Sequence, residues 1–260
     1  MNAARRRRRP RLDVVLGAAI LACLGTSALA QDSSRGRFTT LPPGSELPSD
    51  AECAERVRRS SWEPRPENDA ANHTNVYDRG VRLRGSDLRR YGYEQRVTGN
   101  FTGTTDEIIQ WGACKWGINE DIVRAQALRE SYWVQSTLGD CRGGTVPDTN
   151  GCHSVGLLQV KGADLPPTHS GTWPYAYQST AFNVDYTYAI WRACFEGKED
   201  WLGEGYSPGD VWGCVGRWYS GNWYGTSQEY IRSVKNIWEN REWLSPDFAR
   251  NRRAAESRTP

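Results

Sequence analysis

Residues 104–140 read TTDEIIQWGACKWGINEDIVRAQALRESYWVQSTLGD, and residues 153–160 read HSVGLLQV. Thr104 and Glu107 have the spacing of a capping box, which predicts a helix that begins here and runs to about Trp116. A second helical segment follows closely, and the two together determine the fold class of this part of the chain. We therefore expect two consecutive amphipathic helices followed by a turn that contains glycine.

The second helix carries a carboxyl group in an unusual position. Asn119 is a favourable N-cap residue, and we expect the helix to run from it to about Trp133. Glu130 follows Val123 by seven residues and Ala127 by three, so the three side chains share one helix face. Because its neighbours on that face are apolar, Glu130 lies on the apolar side of its helix.

An apolar setting disfavours the ionised form of a carboxyl group, so we expect the pKa of Glu130 to be raised. A carboxylic acid that keeps its proton near neutral pH can protonate the oxygen of a glycosidic bond. The alternative is a surface glutamate in an ion pair with Arg124 or Arg129. We favour the first interpretation, in which Glu130 is a candidate general acid.

The C-terminal half carries three more helical signals. Apolar residues at helical spacing predict one helix over residues 179–196. Pro208 is typical of the first turn of another helix, and Thr226 with Glu229 has the spacing of a capping box for a last one. The predicted fold is mainly α, with a small irregular or β element and disulfides.

The first 30 residues have the features of a secretory signal peptide. Positions 5–9 are all arginine, residues 14–24 form a short apolar run, and Ala28-Leu29-Ala30 matches a cleavage site. The apolar run is too short to span a bilayer comfortably. We therefore expect a secreted or periplasmic protein after cleavage near Ala30.

The remaining residues divide into three predicted parts. Residues 31–100 are polar and lack a strong hydrophobic period, which predicts an N-terminal extension that is partly disordered. This extension is also a candidate docking segment for a partner protein of the cell envelope. Residues 101–248 are the predicted helical domain, and residues 249–260 form a charged tail.

The charge balance gives no reason to expect a nucleic-acid partner. The whole chain has 33 basic and 31 acidic residues. Cleavage near Ala30 removes six arginines and one aspartate, which leaves 27 basic and 30 acidic residues. A small negative net charge provides no electrostatic attraction to nucleic acids or to anionic membranes.

Six cysteines remain after removal of the signal peptide, and an even number in an exported chain predicts disulfides. Six cysteines allow 15 pairings. Cys141 pairs best with Cys152, because both flank one loop. For the other four cysteines we expect Cys194 to pair with Cys214 and Cys53 with Cys114, but the sequence alone leaves this connectivity open. A zinc site is the alternative, but no CxxC or HxxxH spacing is present, and we expect no metal or organic cofactor.

Two short motifs lie close together within residues 104–160. Glu130-Ser131 ends the second predicted helix, and the tetrapeptide Gly156–Gln159 begins 25 residues after Ser131. They are similar to the Glu-Ser and Gly-Leu-Met-Gln motifs of the lysozyme-like superfamily, as found in soluble lytic transglycosylases and goose-type lysozymes. The resemblance covers about residues 104–245 and implies that residues 101–248 are a lysozyme-like catalytic domain.

A third motif departs from the pattern of those families. Trp218-Tyr219-Ser220-Gly221-Asn222 stands where they have Ala-Tyr-Asn-Ala-Gly. The tyrosine is in register, whereas a serine replaces the asparagine. The resemblance implies cleavage of a β-linked N-acetylated glycan, with peptidoglycan as the first expectation. The departure leaves open another polysaccharide, or a protein that binds glycan without cleaving it.

The resemblance also implies roles for individual residues. Glu130 would be the general acid, and Ser131, Gln159 and Tyr219 would line the glycan groove. The alternative for Tyr219 is a core aromatic residue with a satisfied hydroxyl group. Four tryptophans in or near the surrounding loops are candidates for stacking on sugar rings: Trp133, Trp173, Trp218 and Trp223.

The reaction depends on whether there is a second carboxylate. Residues 139–143 read GDCRG, similar to the segment that carries an aspartate in goose-type lysozymes, so Asp140 is the candidate base of an inverting hydrolase. Asp148 and Asp164 are weaker candidates, and Lys161 stands where goose-type enzymes have another aspartate. Alternatively, Asp140 is an ordinary turn residue. In that case the N-acetyl and 6-hydroxyl groups of the sugar complete a lytic transglycosylase reaction.

Overall fold

Helices make up most of the regular structure in the part of the chain that the computed structural model describes, which is residues 36–77, 81, 83, 87–143, 151–161 and 169–250. The α-helices are α1 (Asp50–Arg56), α2 (Asp69–Asn72), α3 (Asp87–Tyr91), α4 (Thr105–Trp116), α5 (Glu120–Ser131), α6 (Tyr175–Gln178), α7 (Thr180–Phe195), α8 (Val211–Ser220), α9 (Gln228–Asn240) and α10 (Pro246–Arg250). Three short strands form an antiparallel sheet in the order β1 (Leu138–Gly139), β2 (Ser154–Val155) and β3 (Val160–Lys161). The predicted class, mainly α with a small β element, is confirmed.

The two helix starts predicted at Thr104 and Asn119 are confirmed. The Thr104 hydroxyl accepts a hydrogen bond from the Glu107 amide at 3.3 Å, and the Glu107 carboxylate accepts one from the Thr104 amide at 3.0 Å. The Asn119 side chain accepts hydrogen bonds from two amides in the first turn of α5. Helix α5 ends at Ser131, slightly earlier than expected, because Tyr132 adopts the left-handed conformation with a φ of 56°.

The core is built around α4 and α7, which pack against each other. Every residue of both helices is buried. Helices α1 and α5 pack against α4, and α8 packs against α7, so the two central helices are covered on several sides. The rings of Trp111, Trp116 and Trp191 are almost completely removed from solvent. Because buried apolar surface stabilises by about 25 cal/mol per Å², these large rings make this layer the main source of hydrophobic stabilisation.

The described residues before position 101 contribute buried side chains to the same core as the helices that follow. Their buried apolar side chains are Phe38, Cys53, Val57, Val76, Leu83, Leu88, Tyr91 and Val97. The Phe38 amide donates to the Glu120 carboxylate at 3.3 Å. The Arg192 guanidinium donates to the carbonyls of Leu41 and Pro42 at 2.9 and 2.8 Å. Buried side chains of α5 and α7 therefore bind the described part of this polar segment.

Two helices in the C-terminal half begin later than expected. Helix α8 begins at Val211 rather than at Pro208, because the Asp210 carboxylate caps it by accepting a hydrogen bond from an amide of its first turn at 2.9 Å. Helix α9 begins at Gln228 after a short 3₁₀ turn, and Thr226 does not cap it. The cap of α8 thus lies two residues beyond Pro208, whereas Ser227, which precedes α9, makes no capping hydrogen bond with its side chain.

All three predicted disulfides are present: Cys53–Cys114, Cys141–Cys152 and Cys194–Cys214. The first joins α1 to α4, the second closes the loop between β1 and β2, and the third joins α7 to α8. Each disulfide constrains the unfolded chain and is typically worth about 2–4 kcal/mol. Together they tie the N-terminal segment and the C-terminal half to the central helices.

Three further expectations concern metal sites and the chain ends. Among the described residues, no group of three or more His, Cys, Asp and Glu side chains is placed to hold a metal ion. No helix within the described ranges is long and apolar enough to cross a membrane. The predicted signal peptide and residues 251–260 of the predicted tail lie outside the described residues.

Candidate active site

Glu130 occupies the last turn of α5, where the chain turns sharply toward the small sheet. Tyr132 and Trp133 follow it with φ values of 56° and 66°, so the helix cannot continue past this point. Helix α9 packs along α5 and brings Tyr230 to the Glu130 carboxyl group. The carboxyl group therefore lies at a junction between the end of α5, helix α9 and the sheet.

The Glu130 carboxyl group is held in a state suited to proton donation. The Tyr230 hydroxyl donates a hydrogen bond to Glu130 Oε1. Burial raises the pKa of Glu130 to about 7, although the hydrogen bond from Tyr230 and the charge of Arg129 oppose the rise, and the charge of Asp140 adds to it. Glu130 nevertheless keeps part of its surface accessible to solvent. A large fraction of the molecules therefore carries a proton on Glu130 at neutral pH.

Tyr230 is a site residue that the sequence did not reveal. It is 2% exposed, and it lies on the apolar face of α9, where a tyrosine is usually an ordinary core residue. The Arg129 guanidinium lies over the Tyr230 ring, 5.6 Å from its centre. No local pattern distinguishes Tyr230 from a core tyrosine, because its partner Glu130 lies 100 residues earlier in the chain.

Tyr219 lies at the surface of this cluster. Its ring stacks on the Tyr230 ring, with centres 4.5 Å apart and planes 8° apart, and its own exposure is 54%. The structure thus brings Tyr219 next to the Glu130–Tyr230 pair and leaves it open to solvent. The alternative of a core aromatic residue does not describe its position.

Two predicted groove residues support the loop between β2 and β3. The Ser131 hydroxyl donates to the Leu157 carbonyl at 2.7 Å, and the Trp218 indole donates to the Leu158 carbonyl at 2.9 Å. Ser131 is 4% exposed, so its position corrects the expectation that it contacts a ligand directly. Trp218 is partly exposed, which leaves part of its ring available at the surface.

Two buried side chains hold the amides of the same loop. The Gln135 side chain accepts a hydrogen bond from the Leu157 amide at 3.0 Å, and the Asn183 side chain accepts one from the Leu158 amide at 2.9 Å. Neither Gln135 nor Asn183 was identified from the sequence. The signal that points to Asn183 is a polar residue within the apolar pattern of α7. The peptide groups of both leucines are thus fixed by side chains from elsewhere in the fold.

The Gln159 side chain forms hydrogen bonds to backbone carbonyls within and beside the same loop. Its Nε2 donates to the Gly156 carbonyl at 2.8 Å and to the Thr137 carbonyl at 3.1 Å. Its Oε1 lies against Gly139, where an added Cβ would approach it to 2.1 Å. The Gln159 amide group is therefore used within the loop, although the side chain stays partly exposed beside β1.

Trp133 lies in the core, which corrects its predicted role in stacking on a ligand. Its side chain is 0% exposed, and its indole donates to the Arg124 carbonyl at 2.9 Å. Its ring packs edge-on against the Phe248 ring, with centres 5.1 Å apart. Of the other predicted tryptophans, Trp173 stacks on Tyr177, and Trp223 packs against Tyr206.

Asp140 is a second carboxyl group with the opposite behaviour. It has a φ of 52°, and its Oδ2 accepts a hydrogen bond from the Ser154 hydroxyl at 2.9 Å and pairs with Lys161 Nζ at 2.8 Å. Partial burial raises the pKa of Asp140, but the hydrogen bonds from Lys161 and Ser154 outweigh it, and the result is a lowered pKa. Asp140 is therefore ionised at neutral pH while Glu130 retains much of its proton, a division typical of acid and base pairs.

The alternative of an ordinary ion pair for Glu130 is not what the described residues show. Arg124 pairs with carboxylates of α4 and α5 instead, which are those of Asp106, Glu120 and Asp121. Arg129 contacts the Tyr230 ring and forms no ion pair with Glu130 within the described part of the chain. Asp148 and Asp164, the weaker candidates for a base, lie outside the described residues.

The geometry thus brings together Glu130, Tyr230, Tyr219, Asp140 and the loop between β2 and β3. It can supply a proton from one carboxyl group and accept one at another. Comparison of the chain with protein-family models, with curated proteins and with solved structures gave no match.

Proposed function

We propose that this protein is an exported enzyme of the lysozyme-like superfamily that cleaves a β-linked N-acetylated glycan, with Glu130 as the general acid, and that this glycan is the peptidoglycan of a cell wall. The observation that carries the proposal is the state of Glu130. Its pKa of about 7 keeps a proton available near neutral pH, and part of its surface is open to a substrate.

The hydrogen bond from Tyr230 decides which oxygen of Glu130 acts. Because Oε1 accepts the hydrogen bond from the Tyr230 hydroxyl, Oε2 is the oxygen that holds the transferable proton. In the proposed step, this proton passes to the glycosidic oxygen, and the bond between that oxygen and the anomeric carbon breaks. The leaving sugar departs as an alcohol, and positive charge develops on the ring that remains.

Two routes complete the reaction. In the hydrolytic route, Asp140 takes a proton from a water molecule that attacks the anomeric carbon. Both contacts of Asp140 described above involve Oδ2, which leaves Oδ1 to orient the water. In the anhydro-forming route, the 6-hydroxyl group of the sugar attacks the same carbon, and ionised Glu130 takes its proton. The ionised state of Asp140 at neutral pH favours the hydrolytic route.

The test is mass spectrometry of the products that the mature protein releases from peptidoglycan, with Glu130→Gln and Asp140→Asn as matched variants. Glutamine keeps the shape of Glu130 but has no acidic proton, so we expect Glu130→Gln to lower the turnover rate by at least about 100-fold. A folded Glu130→Gln variant that still cleaves the glycan would exclude Glu130 as the acid.

The products and the second variant separate the two routes. Hydrolytic products together with a large loss in Asp140→Asn support Asp140 as the base. Products lighter by one water, with little loss in Asp140→Asn, support the anhydro-forming route. If the wild type binds the glycan in a calorimetric titration but releases no product, the protein is a binding module.

A further inference from the structure

Gln126 lies one helical turn before Glu130 on α5, and it is completely buried. Its Oε1 accepts a hydrogen bond from the Tyr188 hydroxyl on α7 at 3.0 Å. Its Nε2 has no hydrogen-bond partner among the residues that the structure describes. A buried amide group that lacks a hydrogen-bond partner is uncommon in folded proteins and calls for an explanation. Its position one helical turn from Glu130 suggests a role at the candidate active site.

The groups around Gln126 are those that hold Glu130. Burial raises the pKa of Tyr230 well above its ordinary value, the charge of Glu130 and its hydrogen bond add to the rise, and the Gln126 amide opposes it. The Glu130 charge likewise adds to burial in raising the pKa of Tyr188. Gln126, Tyr188, Tyr230 and Glu130 therefore interact within one buried cluster formed by α5, α7 and α9.

The hydrogen bond between Tyr230 and Glu130 can run in either direction. A phenol has one proton to donate and lone pairs that accept, so Tyr230 can either donate to Glu130 or accept the proton of Glu130. Tyr188 occupies the Oε1 end of Gln126, so Nε2 is the end of the amide that still has a donor to offer, and Gln126 is among the groups that act on Tyr230. A donor at that oxygen favours the arrangement in which the Tyr230 proton points to Glu130.

We infer that Gln126 is a positioning residue: its Nε2 donates to the Tyr230 oxygen, so that the Tyr230 hydroxyl donates to Glu130 Oε1 and the transferable proton of Glu130 stays on Oε2. The catalytic meaning of this arrangement rests on the proposed function, but the arrangement itself can be measured without a substrate. The other charged groups that act on Glu130 are Arg129 on α5 and Asp140 at the end of β1.

The test is the pKa of Glu130, measured by ¹³C NMR on mature protein with labelled glutamate, in wild type and in Gln126→Leu. Loss of the amide frees the Tyr230 hydroxyl, so the carboxylate loses part of a stabilising hydrogen bond. We expect the pKa of Glu130 to rise by about one unit. No change in the pKa would overturn the inference.

A double-mutant cycle separates positioning from a simple change in polarity. If Gln126 acts through Tyr230, Gln126→Leu adds no further rise once Tyr230→Phe has removed the hydroxyl group. If the two shifts add, the amide acts on Glu130 by its own dipole, and the inference is wrong.

Two neighbouring variants on α7 guard against a folding effect. Tyr188→Phe keeps the ring but releases Oε1 of Gln126, so we expect a smaller rise in the same direction. Thr187→Val removes a buried hydroxyl that donates to the Asn183 carbonyl at 2.8 Å, and we expect it to leave the pKa of Glu130 unchanged. Equal pKa values in Tyr188→Phe and Thr187→Val would contradict the inference even if Gln126→Leu fails to fold.

The kinetic readout keeps this inference separate from the proposed function. With an active wild type, Gln126→Leu should lower kcat by about tenfold with little change in KM and should move the alkaline limb of the pH–rate profile with the pKa of Glu130. An unchanged limb would overturn the inference. A wild type that cleaves no glycan would contradict the proposed function, whereas the NMR shifts would still test the role of Gln126.

Discussion

At the scale of single residues, the candidate site depends on two carboxyl groups in different surroundings. Burial raises the pKa of Glu130 to about 7, whereas hydrogen bonds from Lys161 and Ser154 lower the pKa of Asp140. The apolar neighbours of Glu130 on its own helix were enough to predict the direction of its shift. The partners of Asp140 could not be predicted, because they come from β2 and β3 and reach it only after the sheet forms.

The raised pKa of Glu130 makes its contribution to stability depend on pH. Between its ordinary pKa of 4.5 and the folded value of about 7, the native state binds more protons than the unfolded state. Stability therefore falls as pH rises through this window, and the loss is complete above it. Glu130→Gln removes this loss, so we expect the variant to be more stable than wild type by up to about 3 kcal/mol near pH 8.5 and by much less near pH 4.5.

Urea unfolding at these two pH values measures the effect. Glu239→Gln, on the exposed face of α9, is the matched control and should show no difference between the two conditions. If Glu130→Gln changes the free energy of unfolding equally at both pH values, Glu130 titrates as an ordinary surface carboxyl group.

At the scale of elements, helices α4 and α5 and the loop between β2 and β3 form for different reasons. The capping boxes and N-caps of α4 and α5 join residues two to three positions apart, so they were visible in the sequence. The loop is instead held by side chains from α5, α7, α8 and the segment after α5, which the sequence does not place near it. The tetrapeptide was recognisable as a turn, but its supporting residues were not.

Gly156 is the position where this loop tolerates least change. It has a φ of 86°, and an added Cβ would lie 2.1 Å from Asn183 Nδ2 and 2.7 Å from the Ala176 carbonyl oxygen. We expect Gly156→Ala to lower the free energy of unfolding by about 3 kcal/mol or more, because backbone strain and a clash add. Gly92→Ala, with a φ of 79° and nothing within 4 Å of the new Cβ, should cost only about 1 kcal/mol.

Thermal and urea unfolding of both alanine variants measure this difference. Equal losses in the two variants would mean that backbone strain alone accounts for the cost of replacing Gly156, and that the Asn183 side chain moves aside freely.

At the scale of the whole molecule, the described residues between 36 and 100 are part of the same core as the helices that follow them. Its backbone is bound by buried charged side chains of α5 and α7, and Cys53 joins it to α4. Composition predicted an extension, because a polar segment with few apolar residues rarely forms a core alone. Here the segment does not form a core alone; it completes one.

Phe38 tests this role directly. Its side chain is 6% exposed, so we expect Phe38→Ala to lower the free energy of unfolding by about 3 kcal/mol, because it removes buried apolar surface and leaves a cavity. Tyr77→Ala is the control, since Tyr77 is 53% exposed and its loss should change stability by less than about 1 kcal/mol. A small effect of Phe38→Ala in urea unfolding would mean that the N-terminal segment folds independently of the helical body.

The sequence by itself determined the mainly α class, the starts of α4 and α5 and the apolar setting of Glu130, and it indicated the three disulfide pairs without excluding other pairings. These features depend on residues near one another in the chain or on the small number of cysteines. The tertiary structure alone decided that Tyr230 holds Glu130, that Lys161 and Ser154 hold Asp140, that Trp133 is buried, and that the N-terminal segment joins the core. Each of these depends on contacts between distant residues, and periodicity and capping signals carry no information about such contacts.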